Sequence, residues 1–501
     1  MDKIKPVGFL YLLSLKIKKM NYKNILLTGM IGLGLTPACI PEKKEIKPNV
    51  LFFLVDDMGW MDVGYQGSKF YETPNIDKLA EQGVQFTNAY ATHPRCVPSR
   101  YSLITGKYPA RAQMPGPGEG KLRPGDEGKL KADEVCLADA LKAGGYSTFF
   151  AGKWHLATSG TYPQNVGFDI NIAGGHAGSP ISYFYPYNEG KQAGKKNPIE
   201  GLDEGTKGEY LTDRITEETV EYIESQVANH PDQPFLAYVS HYAVHEPLEA
   251  KEEYVNKFKQ KLKTMSYEAP EFIEEGTGTT KMRQDDPVYA AMIYSMDESL
   301  GRITKTLEKL GQLDNTIIIF FSDNGGLSNR GFRPRRVATS NYPLRAGKGH
   351  LYEGGVREPM IVKWPGVTKA GTKSDAIVTG TDFFPTILEM VGLPLQQEAH
   401  VDGESFAWAL TRAKVPKKDR AIFWHSPISR PHATGDENCS AIRKGPYKLI
   451  EWYDEGRIEL YDLEKDIQEK DNIAGENSKL VKELLVELTD WKKEVNAYIK
   501  E

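Results

Sequence analysis

The chain of 501 residues carries 40% hydrophobic and 26% charged side chains, the balance of a soluble enzyme with two or three domains or one large α/β domain. Its formal net charge of -5 argues against wholesale binding of polyanions and excludes nucleic acid as an expected partner. Recognition of an anion must therefore come from a few basic residues converging in one pocket.

At the N-terminus, lysines precede an apolar stretch at residues 25–35 that ends in Thr36, Pro37, Ala38 and Cys39, the pattern of an export signal. The stretch is short for a bilayer span. Met20 begins a compact version of the signal, so either Met1 or Met20 is the start. A cysteine directly after a small residue resembles the lipobox of bacterial lipoproteins, although Thr36 and Pro37 depart from its Leu-rich pattern. Lipid on Cys39 would tether the enzyme to a membrane in the periplasm or at the cell surface. A cleaved signal and a buried thiol are the plainer readings.

Further along, Asn49–Val55 (NVLFFLV) is a continuous apolar run ending in Asp56 and Asp57, as expected of a buried parallel strand. Phe235–Ser240 runs in the same way into His241 and His245, and Thr316–Ser322 into Asp323 and Asn324. Helices are expected over Pro74–Gln82, Leu137–Ala143 and residues 286–310, from flanking cap and glycine signals. This alternation implies a large, mostly parallel sheet sandwiched by helices, with ligands beyond the carboxyl ends of the strands. Residues 115–128 and 190–208 read as loops. After Pro416, FWHSP, YKLIEWY and RIELYDL are short strand candidates before an amphipathic helix at 478–498. The division is a signal peptide at 1–38, a linker at 39–48, a catalytic domain at 49–415 and a smaller α+β subdomain of antiparallel strands plus helix at 416–501.

With Cys39 at the signal boundary, Cys96, Cys136 and Cys439 form an odd set, which implies no disulfide framework. Cys96 opens the segment Cys96-Val97-Pro98-Ser99-Arg100, followed by Leu103, Thr105 and Gly106. This resembles the C-x-P-S-R signature of the type I, formylglycine-dependent sulfatases of the alkaline phosphatase superfamily. A second block, Gly145-Tyr146-Ser147-Thr148 leading to Gly152-Lys153-Trp154-His155, is similar to the same family. So are Asp56-Asp57, His245-Glu246-Pro247, Ser322-Asp323-Asn324-Gly325-Gly326, Pro343-Leu344-Arg345 to Lys348, and Glu353-Gly354-Gly355-Val356-Arg357. The resemblance runs in order from Asn49 to the C-terminus, and within the family the chain resembles bacterial polysaccharide sulfatases.

The resemblance implies that a maturation enzyme oxidises Cys96 to formylglycine (3-oxoalanine), whose geminal diol supplies the nucleophile. It implies that Arg100 supports that residue, that Lys153 and Lys348 grip the sulfate, that His155 assists elimination and that His245 protonates the leaving oxygen. Asp56, Asp57, Asp323 and Asn324 offer oxygen ligands only, so the expected cation is Ca2+, with Mg2+ second and residue 96 completing the sphere. Asp56 and Asp57 can both face it only if the strand ends before them. His241 is read as either a site group or packing beneath the site.

Weaker signals are Arg333, Arg335 and Arg336, read as a second anion site or a solvated loop. His350, His425 and His432 are read as walls of a sugar pocket, and Trp424 as core. Residues 353–357 are expected to shape a turn near Lys348, and Asp382 to cap a helix. The function expected is hydrolysis of sulfate esters on a sulfated carbohydrate such as ulvan, carrageenan or a glycosaminoglycan. Two competing readings are a phosphomonoester or phosphonate ester hydrolase of the same superfamily and a non-catalytic, lipid-anchored glycan-binding protein.

Overall fold

A computed structural model describes residues 47–114, 130–157, 160–190, 193–194, 198–411 and 420–498. The export segment, Cys39 and the 115–128 loop lie outside the described residues. Among the described residues, no helix is long and apolar enough to cross a membrane.

The main sheet has eight strands: β1 (Asn49–Val55), β2 (Val84–Tyr90), β3 (Ser147–Gly152), β4 (Ile170–Ile172), β5 (Phe235–Ser240), β6 (Thr316–Ser322), β7 (Met360–Lys363) and β8 (Thr372–Thr379). Their spatial order is β8-β2-β7-β6-β1-β5-β3-β4. All neighbours run parallel except β7, which lies antiparallel between β2 and β6. Every residue of β1, β5 and β6 is buried, because helices cover both faces. Leu51, Phe53 and Val55 pack against the helices Leu211–Asn229 and Pro287–Lys309 on one side. Val50, Phe52 and Leu54 pack against Leu137–Ala143 and Phe383–Met390 on the other.

Register aligns the strand ends. Val55 of β1 lies beside Ser322 of β6, Leu54 beside Ser240 of β5, and Gly152 of β3 beside Ser240. The chain segments that follow these four strands therefore emerge on one edge of the sheet, where ligands bind in parallel α/β folds.

The helices at Pro74–Gln82 and Leu137–Ala143 have the expected bounds. The long helix begins one residue later than expected because Asp286 is its cap, accepting the N–H groups of Val288 and Tyr289. Asp382 precedes the helix Phe383–Met390 but caps none of its N–H groups. Its carboxylate instead takes the N–H of Thr379 and Glu404 and pairs with Arg420.

Four antiparallel strands form a second sheet: β9 (Ala421–Ser426), β10 (Cys439–Lys444), β11 (Tyr447–Trp452) and β12 (Ile458–Asp462). The final helix, Ser478–Glu494, closes one face through Leu484, Leu488 and Trp491 and stops short of the expected 498. The other face, with Trp424 and Trp452, packs on Ala346, Leu351, Tyr352 and Val356. A buried ionic knot crosses this junction. Lys448, fully buried, pairs with Glu353 at 2.9 Å and Glu469 at 3.0 Å, and Glu353 also pairs with Arg357 at 2.6 Å. Residues 353–356 are thus a short helix tied to the second sheet. Lys448→Ala strands the buried Glu469 and leaves Glu353 to Arg357 alone, and urea unfolding of that variant is expected to show a loss of about 3–5 kcal/mol.

Candidate active site

β1 ends at Val55, and Asp57 then takes a left-handed φ of 61°. That turn breaks the alternation of the strand, so Asp56 and Asp57 both face the site. Cys96 and Arg100 come from the helix Cys96–Thr105, where a spacing of four puts both on one face. Asp323 and Asn324 follow β6, and Lys153 follows β3. Lys348 arrives on a loop held by two backbone bonds, Lys348 N–H to Gly326 O at 3.0 Å and Gly349 N–H to Pro94 O at 2.9 Å. Gly325 is required where these loops touch, since a Cβ there would sit 2.1 Å from Gly354 O.

The Cys96 thiol lies 3.7 Å from Asp57 Oδ1 and 3.5 Å from Lys348 Nζ. Asp57 is the hub. Its Oδ2 takes Lys348 Nζ at 2.5 Å and lies 3.5 Å from His245 Nε2, while its Oδ1 accepts from Asn324 Nδ2 at 2.8 Å. Lys153 Nζ meets Asp56 Oδ2 at 2.6 Å. The Arg100 guanidinium donates from Nε to Asp323 Oδ2 at 2.7 Å and from Nη1 to Ser240 Oγ at 2.6 Å and Lys153 O at 2.7 Å.

Burial raises Asp56 above the ordinary carboxylate range against the pull of Lys153, with Asp323 and Asp57 adding to the rise. Burial would raise Asp57 too, but Lys348 and His245 outweigh it and hold the carboxyl below its usual range. The Cys96 thiol is pushed up to about 12, chiefly by burial, so it is protonated at neutral pH. Burial, then Lys153, Arg100, His245 and Lys348, depress His155, whose ring lies against Gly178. Burial and Lys348 depress His245 likewise. Its Nδ1 donates to Glu246 O at 2.7 Å, which leaves Nε2 facing Asp57.

Two oxygens test whether a cation fits. Asp56 Oδ1 and Asn324 Oδ1 are buried and have no hydrogen-bond partner, an arrangement that costs free energy unless something else meets them. Donor atoms of Asp56, Cys96 and Asp323 lie within 4.8 Å of one another, as do those of Asp57, Cys96 and His245. A mainly carboxylate and amide oxygen set suits a hard divalent ion. These residues fit such an ion.

Each of the ten residues singled out from the sequence comes to this edge of the sheet. His241 does not: its Nε2 bonds Ser299 Oγ at 2.9 Å beneath the sheet, against Phe53. His350 and His425 are buried in backbone and hydroxyl contacts, with Thr434 O and Ser440 Oγ, and His350 lines only a small cavity of about 50 Å³ beside Arg345 and Trp452. Trp424 is core, its Nε1 donating to Ala91 O at 2.7 Å. Arg335 pairs with Glu246 at 3.1 Å and Arg336 with Asp286 at 2.6 Å, so neither guanidinium is the free anion receptor that the loop suggested. Sequence reading missed Ser240, which orients Arg100, and Asp62, which holds Gly59 N–H at 2.8 Å and accepts from Tyr289 Oη at 2.7 Å. Asp62 is a lone acid inside an apolar stretch, and that was its only signal.

A cavity of about 340 Å³ opens beside Asp57 between Glu246, Leu248, Tyr289, Leu327 and Arg336. A slightly larger one of about 370 Å³ lies at the edge strand β8, near Asn88 and Trp408, and contains none of the site residues.

An α/β fold that gathers a buried cysteine, an acidic cation cradle and a ring of lysine and histidine at its strand ends defines a hydrolase of anionic esters. Comparison with known proteins narrows the class. The sulfatase family profile matches residues 48–393, and the N-sulphoglucosamine sulphohydrolase C-terminal profile matches 346–494. The chain belongs to the sulfatase family and is a sulfuric ester hydrolase. It is 31% identical to a sulfatase of Formosa agariphila, over 89% of each chain. It is 29% identical to the N-acetylgalactosamine-6-O-sulfatase of Bacteroides thetaiotaomicron, over 92% of this chain and 98% of that one. Among solved structures it is similar to Ps i-CgsB in complex with k-i-k-neocarrahexaose, with TM-score 0.71 and 31% identity over 89% of this chain and 92% of that one.

Proposed function

We propose that this enzyme hydrolyses sulfate monoesters on a carbohydrate, using formylglycine made from Cys96 and one calcium ion, with magnesium as second choice. The observation that carries the reading is the Cys96 sulfur between Asp57 and Lys348, beside two buried oxygens that accept no hydrogen bond among the described residues. Carbohydrate is the favoured substrate class because the relatives include an N-acetylgalactosamine-6-O-sulfatase and a structure bound to neocarrahexaose.

Asp56, Asp57, Asp323 and Asn324 would hold the cation. Formylglycine as its hydrate would supply an oxygen nucleophile, and the cation would polarise that oxygen and a sulfate oxygen. The three carboxylates are matched by the permanent charges of Arg100, Lys153 and Lys348. A divalent ion therefore leaves the pocket with surplus positive charge, which suits an anionic ester. Lys153 and Lys348 reach from the two aspartates toward the sulfate oxygens. His245, with Nδ1 committed to Glu246 O, presents Nε2 to pass a proton to the departing alcohol oxygen. His155 accepts the proton released when sulfate leaves, and Arg100 keeps Asp323 and the 153 backbone in place.

Export, with a lipid on Cys39, would bring such an enzyme to polymers outside the cytoplasm, in the periplasm or at the cell surface. The test has two parts. Mass spectrometry of the peptide containing Cys96, from protein made with a formylglycine-generating enzyme, is expected to show the lower mass of the aldehyde; an intact thiol in active protein ends the formylglycine reading. A panel of defined sulfated oligosaccharides is expected to release sulfate, and turnover of aryl sulfates alone ends the carbohydrate reading.

A further inference from the structure

The loop at residues 427–438, between β9 and β10, is stitched to three segments that carry the site. Arg95, immediately before Cys96, donates from Nη1 to Ile428 O at 2.7 Å and pairs with Asp436. Gly331 N–H donates to Ala433 O at 3.0 Å and Arg333 N–H to His432 O at 3.1 Å, which joins the loop to the strand of residues 329–330 and the turn after it. His350, two residues beyond Lys348, meets Thr434 O at 3.0 Å. The loop is thus held at the border of the site from the side of Cys96.

Arg430 sits in this loop, half-buried, and among the described residues its guanidinium makes no hydrogen bond or ion pair. Its backbone N–H is bonded to Asp436 Oδ2 at 3.2 Å, but that carboxylate is already engaged by Arg95. Burial and the neighbouring Arg95 lower the guanidinium to about 10 against the pull of Asp436, with Cys96 among the groups it faces and Arg335 opposing its charge as well. A half-buried cation crowded by two others, whose one near carboxylate, Asp436, is already bonded by Arg95, is under-compensated unless a ligand completes it. On the joined turn, Phe332 is 70% exposed, the most exposed large apolar side chain described, with its ring 6.2 Å from that of His432. An aromatic face of this kind stacks against the apolar face of a sugar.

We propose that Arg430 determines specificity by pairing with a second anionic group, a carboxylate or another sulfate, on the sugar that bears or adjoins the scissile sulfate, while Phe332 supports the ring of that unit. The inference rests on the sulfatase reading and extends it to a substrate class, polyanionic carbohydrate. It also moves the anion receptor from Arg335 and Arg336, which are paired, to a residue in the C-terminal sheet region. A guanidinium suits either anion because its planar fork donates two parallel bonds.

The test uses three disaccharides with the same scissile sulfate and a neutral, a uronate or a sulfated adjoining unit. The mature enzyme is expected to prefer at least one of the two anionic forms over the neutral one, and which it prefers identifies the anion. Arg430→Ala is expected to lower that preference, as a ratio of kcat/KM values, by about 10- to 100-fold, mainly through KM. Arg430→Lys should restore part of it, since charge survives but the fork does not. An unchanged ratio, or an equal loss on all three substrates, overturns the proposal, the latter by marking a structural role. If the parent enzyme releases sulfate from no ester, the sulfatase reading itself fails and this inference with it.

Discussion

Cys96→Ala is expected to lower sulfate release by about 10⁴-fold or more, the scale seen when a covalent nucleophile is removed. The reason lies in position. Residue 96 is the first residue of a helix, between Lys348 and Asp57, and no other side chain occupies that point. Loss of the sulfur removes a small buried group and leaves Arg100, Lys153 and Lys348 paired with their aspartates. Thermal unfolding should therefore change little while turnover collapses. Full turnover by the alanine variant, measured as sulfate released per active site, would show that some other group attacks sulfur.

Asp57→Asn is expected to reduce kcat by about 10²–10³-fold and, as the proposed ligand of a calcium ion, to lower the calcium content measured by elemental analysis of the purified protein. Asp57 touches Lys348, His245, Asn324 and Cys96 together. The amide keeps the shape but removes the negative charge, so Lys348 loses its buried counter-ion and the proposed cation would lose a ligand. Treatment of the parent with a chelator should reproduce the loss and added calcium should reverse it. In the variant, recovery should require higher calcium. Undiminished activity after exhaustive chelation would remove the cation from the reaction.

The acidic pairs were legible because each follows a strand whose apolar run is hard to mistake, whereas the Lys153 and Lys348 blocks were legible only through their resemblance to the family. NVLFFLV and TIIIFFS end in Asp56-Asp57 and Asp323-Asn324, and full burial on both faces writes itself as unbroken hydrophobicity. The strand Cys439–Lys444 was not anticipated, since CSAIRK mixes polar and apolar residues and becomes a strand only between β9 and β11. His241 and His245 look alike in sequence, four residues apart after β5. Only the turn that follows the strand sends His241 under the sheet to Ser299 and His245 to Asp57.

By itself the amino-acid sequence determined the parallel α/β plan, the cysteine motif and the set of charged side chains at the strand ends, because local hydrophobic period and short-range spacing carry that information. Tertiary structure alone decided which cations are already neutralised and which is left over. Arg335 and Arg336 meet carboxylates 89 and 50 residues away, whereas among the described residues the Arg430 guanidinium makes no ion pair and has near it only Asp436, already bonded by Arg95. Charge pairing of this kind depends on through-space distance in a low-dielectric interior, and no pattern along the chain encodes it.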